Sequence, residues 1–148
     1  MPEMLETTVD KFTFQVAADR FYTEQGVWAK PEGGRVRVGV SDFLQQSNGD
    51  VAFAEVQPEG TRLARGDEIA VLETIKVDLE LASPVEGVLA EINPQMDDAP
   101  ETINSDPYGE GWIALVEPDD WEADRALLLD PQAYFTHMKQ QAEEEAGK

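Results

Sequence analysis

The feature that most constrains this chain is a pair of short β-like stretches that flank a single lysine, Lys76. The stretches 69–72 and 77–81 are rich in apolar residues, and turn signals bound the pair at Gly66 and at Gly87. Lys76 therefore lies near the middle of a roughly symmetric strand pair, where the tip of a hairpin is expected. A side chain at a hairpin tip is fully exposed, which suits covalent attachment of a mobile arm. The alternative interpretation is a solvated charge at the end of a strand.

The rest of the chain repeats short strands separated by turn signals, which is typical of a mainly β protein. This pattern predicts a flattened β-barrel or sandwich, with a short helix after an early strand and two helices at the C-terminus. Ser41 is a good N-cap for the short helix at 42–46, and Asp130-Pro131 is a good start for the last one. Strands are predicted at 12–16, 21–29, 35–40, 51–56, 87–92 and 112–116, an irregular loop at 93–111, helices from 118 and from 131, and a frayed tail at 140–148.

The charge of the chain limits the partners that it can bind. The 148 residues carry a net charge of −20, which argues against nucleic acid and against anionic membrane, because both require a basic face. The stretch 77–124 holds many acids and no Lys or Arg. Such a surface favours electrostatic steering toward basic partners, and the alternative is a merely solvated acidic face.

Several classes of function are excluded or disfavoured by the residues that the chain lacks. There is no cysteine, so disulfides, cysteine-based zinc sites and thiol nucleophiles are excluded, and the one histidine, His137, lies in a helical pattern. Nucleophile–base pairs and phosphate-binding loops are also absent from the sequence, so we do not expect an enzyme. The first residues lack the basic and apolar regions of a signal peptide, and we expect a cytoplasmic protein.

Most of the chain, from about Phe21 to Tyr134, resembles the glycine cleavage system H protein family, a branch of the lipoyl-domain fold. The resemblance implies the lipoyl/biotinyl-type hybrid motif. We expect an N-terminal extension at 1–20 packed on a lipoyl-bearing β domain at 21–117, with C-terminal helices and a tail at 118–148. The matching segments are Val38-Gly39-Val40-Ser41-Asp42, Glu73-Thr74-Ile75-Lys76, Ser83-Pro84-Val85-Glu86-Gly87-Val88, and Asn93, Pro100 and Asn104 followed by Pro107-Tyr108-Gly109-Glu110-Gly111-Trp112.

The resemblance implies that Lys76 carries lipoate in amide linkage. A biotin carrier usually brackets its lysine with methionines, whereas Ile75 and Val77 stand here, so lipoate is favoured. Glu73, Asp78 and Glu80 surround the lysine and are expected to be recognised by a lipoate ligase or transferase and by partner enzymes. The protein then acts as a carrier, most simply as a monomer, whose arm shuttles a bound intermediate between enzymes.

The sequence departs from the family pattern where the family reads Tyr-x-x-x-His-Glu-Trp. Tyr22 and Trp28 keep their places, but Gly26 and Val27 replace the His and Glu. In glycine-cleaving members that glutamate is thought to hold a cationic aminomethyl group, and Glu at position 27, with His at position 26, is expected to improve the retention of that group. Glu24 and Glu80 are possible substitutes, and drift at a tolerant surface site is another explanation.

A second branch of the family fits this change better. It comprises the lipoate-binding proteins of heterodisulfide-reductase-like sulfur oxidation, whose proposed sulfur cargo needs no carboxylate partner. From the sequence we therefore expect a sulfur carrier that works with redox enzymes of sulfur oxidation. The alternative is the aminomethyl carrier, that is the H protein, of the glycine cleavage system.

Overall fold

The computed structural model describes residues 2–147 and is built mainly from short antiparallel strands. Each strand follows an apolar stretch of the sequence and ends at a turn signal, as expected for a half-buried sheet. The strands are β1 (Met4–Val9), β2 (Phe12–Ala17), β3 (Phe21–Tyr22), β4 (Val27–Glu32), β5 (Arg35–Val40), β6 (Val51–Val56), β7 (Arg62–Leu63), β8 (Glu68–Thr74), β9 (Asp78–Ala82), β10 (Gly87–Ile92) and β11 (Ala114–Pro118).

Within residues 2–147 the strands form a larger sheet in the order β3-β4-β5-β11-β10-β7, a smaller sheet in the order β6-β8-β9, and a separate hairpin, β1-β2. The main core is shared by the larger and smaller sheets, where alternate residues of each strand are apolar and buried. This confirms the predicted mainly β, sandwich-like fold. Core residues from the two sheets include Val36, Val38, Leu89, Val116, Ile69, Leu72 and Leu81.

The helices are α1 (Asp42–Asn48), α2 (Gln95–Asp98), α3 (Thr102–Ser105), α4 (Trp121–Arg125) and α5 (Pro131–Ala146). The Ser41 side chain accepts a hydrogen bond from the backbone N–H of Leu44 and so caps α1, as predicted. Asp130 caps α5 in the same way through Ala133. None of the helices in residues 2–147 is long and apolar enough to cross a membrane.

A second, largely aromatic core joins the hairpin β1-β2 and helix α5 to the larger sheet. Tyr22 of β3 and Tyr134 of α5 stack with ring centroids 4.4 Å apart. Phe14 of β2 meets Phe43 of α1 edge to face at 5.2 Å. Trp28 is also fully buried in this cluster. The elements before residue 21 and after residue 130 are therefore held on the sandwich by one shared apolar cluster.

Four local predictions are wrong. The helix predicted from 118 is only Trp121–Arg125, because Pro118 still belongs to β11 and the Asp120 side chain caps α4 through Ala123 N–H. The N-terminal segment holds two paired strands rather than one, because Asp10 adopts a positive φ of 60° and closes a tight turn before Phe12. The stretch 93–111 contains the short helices α2 and α3 rather than irregular loop alone. The expected frayed tail is helical as far as Ala146, since Met138 and Ala142 are buried in the aromatic core. The division of the chain at residues 20 and 117 stays a prediction.

Candidate functional site

Lys76 lies in the turn between β8 and β9, as the sequence predicts. The turn is closed by Thr74, whose backbone N–H donates to Val77 O at 2.9 Å. The Thr74 hydroxyl also accepts hydrogen bonds from the backbone N–H groups of Lys76, at 3.2 Å, and of Val77, at 3.1 Å. A hydroxyl that satisfies two successive amides fixes the backbone of such a turn. The lysine side chain is thus presented by a defined loop rather than by a loose one.

The side chains of the turn face solvent. Ile75 is 74% exposed and Val77 is 48% exposed, and Lys76 between them is exposed as well. The Lys76 ammonium donates one long hydrogen bond of 3.4 Å, to Ser47 O at the end of α1. Few groups therefore compete for the amine, and a modifying enzyme can reach it.

The turn rests on the segment that follows α1. Ile75 N–H donates to Asp50 O at 3.1 Å. Gly49 has a φ of +83°, which favours glycine at this position, and a Cβ there would lie 3.0 Å from Ile75 Cγ1. Asn104 fixes the same segment, because its side chain donates to Gly49 O at 3.2 Å and accepts from Val51 N–H at 2.8 Å. Asn104 belongs to the loop motif of the sequence, although its contact with the lysine-bearing region could not be deduced from the motif.

The structure brings Glu73, Asp78 and Glu80 together on one face of the hairpin. Glu73 lies directly opposite Asp78, and Glu80 lies opposite Val71, so all three acids share the face that points away from the core. All three are exposed. No Lys or Arg forms an ion pair with them in residues 2–147. Like charges placed opposite one another weaken a strand pair, so this face lowers stability rather than raising it.

The positions of the missing His and Glu are not at a tolerant surface. Gly26 has a φ of +105°, and a Cβ there would lie 2.9 Å from both Ser41 Oγ and Tyr134 Oη. Val27 is fully buried in the main core. The interpretation of these changes as surface drift is therefore wrong. Glu at position 27 with His at position 26 would have to place both side chains in this packed region, and the improved retention of a cationic cargo stays a prediction.

Glu24 and Glu80, the possible substitutes for the family glutamate, lie in different parts of the fold. The Glu80 carbonyl accepts a 2.6 Å hydrogen bond from the Gln25 side chain, which ties the turn before β4 to β9. The Glu24 carbonyl is hydrogen-bonded to His137 Nε2 at 3.0 Å. His137 thus joins α5 to the turn before β4, and it has no catalytic partner in this contact. No cluster of His, Cys, Asp and Glu that could hold a metal ion occurs in the described residues.

A cavity of about 170 Å³ adjoins Lys76, and the sequence did not indicate it. The cavity is formed by β2, the end of α1 and the end of α5, three elements that are distant along the chain. No local pattern could have revealed it. It is lined by Phe12, Phe14, Gln46, Ser47, Lys76 and Glu145.

A β-sandwich that presents one exposed lysine on a hairpin turn defines a carrier domain. The comparisons with known proteins agree. A family model described as glycine cleavage H-protein matches residues 20–141. The chain is 39% identical to a glycine cleavage system H protein of Thermus thermophilus, over 86% of this chain and 98% of the relative. It is 41% identical to the probable glycine cleavage system H protein of Natronomonas pharaonis, over 80% and 94% of the two chains.

The fold comparison gives the same answer. The crystal structure of a glycine cleavage system H protein from Mycobacterium marinum superposes with a TM-score of 0.74 and 30% identity, covering 82% of this chain and 97% of the other. The chain belongs to the glycine cleavage H-protein family. It is therefore a carrier component of a multi-enzyme system and not a catalyst in its own right. The relatives named above carry the H-protein name, and they give no support to the sulfur-oxidation branch that the sequence favoured.

Proposed function

We propose that this protein is a lipoyl carrier and that the lipoyl group is attached through an amide to Lys76. The observation that carries the proposal is the position of this lysine at the exposed turn of the β8-β9 hairpin in a member of the H-protein family. When attached, lipoate supplies a disulfide that can be reduced and a sulfur that can hold a transferred group. The protein supplies attachment, exposure and docking.

The residues around Lys76 fit an amide-linked arm. The amine makes only the 3.4 Å contact to Ser47 O, so acylation breaks one weak hydrogen bond and leaves the turn closed by Thr74 intact. The neighbouring wall contains the rings of Phe12 and Phe14, which suit an apolar chain that ends in two sulfur atoms. Loss of the positive charge removes no ion pair within residues 2–147.

We expect the acidic face of the hairpin to be the docking surface for partner enzymes. Glu73, Asp78 and Glu80 stand beside the lysine on one exposed face that carries a like-charge pair. Basic faces on a lipoate ligase or transferase and on the enzymes served by the arm complement this surface. Electrostatic complementarity of this kind acts mostly on the rate of association.

For the cargo, we favour an aminomethyl group carried between the enzymes of glycine cleavage. The relatives that match nearly their whole length to this chain are named as H proteins of that system. The proposal requires that the cationic group be held without the glutamate that the family usually places before Trp28. The tether raises the effective concentration of the carried group at each partner enzyme. This offsets part of the binding energy that is lost with the glutamate.

A second candidate is a sulfur cargo, and one observation favours it. The position of the family glutamate is filled by Val27, which is fully buried, and Gly26 before it leaves no room for a side chain. At both positions, packing against neighbouring residues leaves no space for a carboxylate that could bind an ammonium group. A neutral or anionic sulfur cargo does not need such a carboxylate.

Two experiments test these proposals in turn. Intact-mass measurement after incubation with a lipoate ligase and lipoate should show one added lipoyl group, and peptide mapping should place it on Lys76. The holo-protein is then given to glycine decarboxylase with glycine and pyridoxal phosphate. Turnover comparable to that of an authentic H protein supports the aminomethyl cargo. Absence of turnover, together with transfer of a sulfane sulfur from a persulfide donor to one thiolate of the reduced arm and release of the donor as its thiolate, supports the second candidate instead.

A further inference from the structure

Phe53 on β6 is 66% exposed, although it is a large aromatic residue in a strand of the sandwich. A bulge in β6 explains its position. Val51 is paired with Thr74, and Phe53, two residues further on, is paired with Glu73, the immediate neighbour of Thr74 on β8. In a regular strand Phe53 would share the buried face of Val51, and the extra residue turns it to the outer face. The fold therefore keeps in water a ring that a one-residue change of register would bury.

Phe53 is surrounded by carboxylates on the outer face of the smaller sheet. Glu73 lies directly opposite it and is in turn opposite Asp78. Glu55 of β6 and Asp97 of α2 line, together with Phe53 and Glu73, a cleft of about 440 Å³. None of these four acids forms an ion pair within residues 2–147. An exposed aromatic ring with charged residues around it has the composition of a protein–protein interface, in which the ring is the anchor and the charges form the rim.

We propose that Phe53 is an anchor by which the enzyme that attaches lipoate recognises this protein. The matching surface of that enzyme is an apolar pocket that receives the ring, with a Lys or Arg beside it that enters the cleft. This inference rests on the proposed attachment of lipoate to Lys76. It goes beyond that attachment, because Phe53 belongs to β6 and Asp97 to α2, outside the hairpin acids from which recognition was expected.

The occupant follows from the reach of the lysine. An enzyme that modifies Lys76 must bring its active site to the amine itself, because the unmodified chain has no arm. The surface that it covers must therefore include the residues beside the β8-β9 turn. Phe53 is such a residue, since it is paired with Glu73, three residues before Lys76. An enzyme served by the lipoyl arm is less restricted, because the arm spans part of the separation.

A second copy of this chain is a poor occupant of the same face. A two-fold contact brings the same surface of both copies together, which would set Glu73 and Asp78 of one copy against those of the other. The net charge of −20 opposes such a contact as well. A partner with a basic residue beside an apolar pocket meets no such repulsion, and charge complementarity raises its rate of association.

The test measures the steady-state kinetics of lipoylation of the unmodified protein by a purified lipoate ligase with lipoate and ATP. In this reaction the Lys76 amine attacks the carbonyl carbon of a lipoyl adenylate. The amide forms, AMP leaves, and the amine loses a proton to solvent. Phe53→Ser should raise KM for the protein by about tenfold, as expected for the loss of an aromatic anchor. The kcat should stay unchanged, because the substitution removes binding and does not touch the reacting amine.

Two further variants separate the role of the ring from an effect on the fold. Phe53→Leu keeps an apolar side chain and should recover most of the loss in KM. Leu127→Ser is the matched control, since Leu127 is also 66% exposed but lies between α4 and α5, outside the smaller sheet. Its KM should equal that of the wild type. Thermal unfolding should show that all these exposed exchanges leave the fold intact.

A pair of neighbouring acids tests the cleft. Asp97→Asn should raise KM by about threefold at low salt and by less as salt rises, because Asp97 lines the cleft. Asp98→Asn removes the same charge at the next residue, which is exposed and outside the cleft lining, and should leave KM unchanged. Equal KM values for the two variants would overturn the contact with a Lys or Arg in the cleft.

Equal ligase KM values for the wild-type and Phe53→Ser proteins would overturn the proposed anchor and leave the lipoyl carrier standing. The fully lipoylated Phe53→Ser protein is also given to glycine decarboxylase. A rise in KM confined to that enzyme would assign the ring to an enzyme served by the arm, and it would overturn the proposal too. A wild-type protein that takes up no lipoyl group would overturn the proposed function itself.

Discussion

The turn that carries Lys76 and the aromatic cluster around Tyr134 are built in opposite ways. The turn is closed by the backbone and the hydroxyl of Thr74 and rests on Asp50 O, and the side chains of residues 75–77 are exposed. In the cluster, Tyr22 stacks on Tyr134 and its hydroxyl donates to Ala17 O at 2.7 Å. The functional side chain therefore contributes little to stability, and the residues that stabilise this end of the fold have no direct part in the chemistry.

Arg20 shows how the cluster depends on buried polar contacts. Its guanidinium lies 4.5 Å from the centre of the Trp28 ring and 5.2 Å from that of Tyr108, and it donates to Tyr108 O at 2.9 Å. Burial of Asp19 opposes ionisation, but Arg20 and then Lys30 outweigh it and lower the pKa of that carboxyl. These contacts fix the side chains of the aromatic cluster in one arrangement. The side chains of the turn at Lys76 are exposed and have no comparable contacts.

The largest expected effect is at the turn and concerns function alone. Lys76→Arg should abolish lipoylation, because the guanidinium cannot form the amide, while the unfolding midpoint stays within the range of neutral surface changes. Intact-mass measurement after incubation with a ligase, together with a thermal unfolding curve, checks both parts. Lipoylation of the Arg variant would show that another lysine is the attachment point.

A substitution in the core should have the opposite result, a loss of stability. Val27→Glu should lower the free energy of unfolding by about 3 to 5 kcal/mol, because it places an unpaired carboxylate among apolar side chains. Urea denaturation at neutral pH measures the loss. The matched control is Val77→Glu at the turn, where the side chain is 48% exposed, and it should change stability by less than about 0.5 kcal/mol. A stable Val27→Glu protein would mean that the strand shifts to expose this position.

Alkaline pH should destabilise the protein through the aromatic cluster and not through the turn that carries Lys76. Burial raises the pKa of Tyr134 to about 12, and burial also raises the pKa values of Tyr22 and Tyr108. The folded state holds these protons more tightly than the unfolded chain, whose tyrosines titrate near pH ~10. The contribution to stability is therefore complete below about pH 10 and is lost as the pH rises toward 12, by about 2 kcal/mol for Tyr134 alone.

Urea denaturation at a series of alkaline pH values measures this fall. Tyr134→Phe should make the dependence shallower, although it also removes the hydrogen bond to Ser41 and lowers stability at neutral pH. Lys76→Arg should follow the wild-type curve, since Lys76 does not contribute to the pKa shifts of these tyrosines. An unchanged slope in the Phe variant would contradict the role given to Tyr134.

The smallest effect is expected on the acidic face beside the lysine. Replacing Glu73, Asp78 and Glu80 by their amides should slow association with a lipoate ligase by about tenfold at low salt and by less as salt rises. Stopped-flow or surface binding kinetics measure the rates. The same change at three exposed acids outside the hairpin face, Glu3, Glu143 and Glu144, serves as a charge-matched control. Equal effects of the two sets would mean that only net charge matters.

Local signals were sufficient for most of the elements. The alternation in 35–40, the Ser41 cap and the turn signals around Gly66 and Gly87 each specify their element within a few residues, because they depend on neighbours in the chain. The errors lie where tertiary contacts override such signals. The chain after residue 139 looks like a frayed tail until Ala142 is seen to be buried against the hairpin.

The family, the sandwich of short strands and the lysine at the hairpin turn can all be inferred from the chain alone, since motif spacing and turn chemistry are local properties. The surroundings of that lysine depend on the folded molecule. The cavity beside Lys76 joins β2, α1 and α5, and Gly26 and Val27 are closed off by Ser41, Tyr134 and the main core. These residues are distant in the chain and come together because separate apolar surfaces are buried against one another. A local sequence pattern cannot predict such contacts.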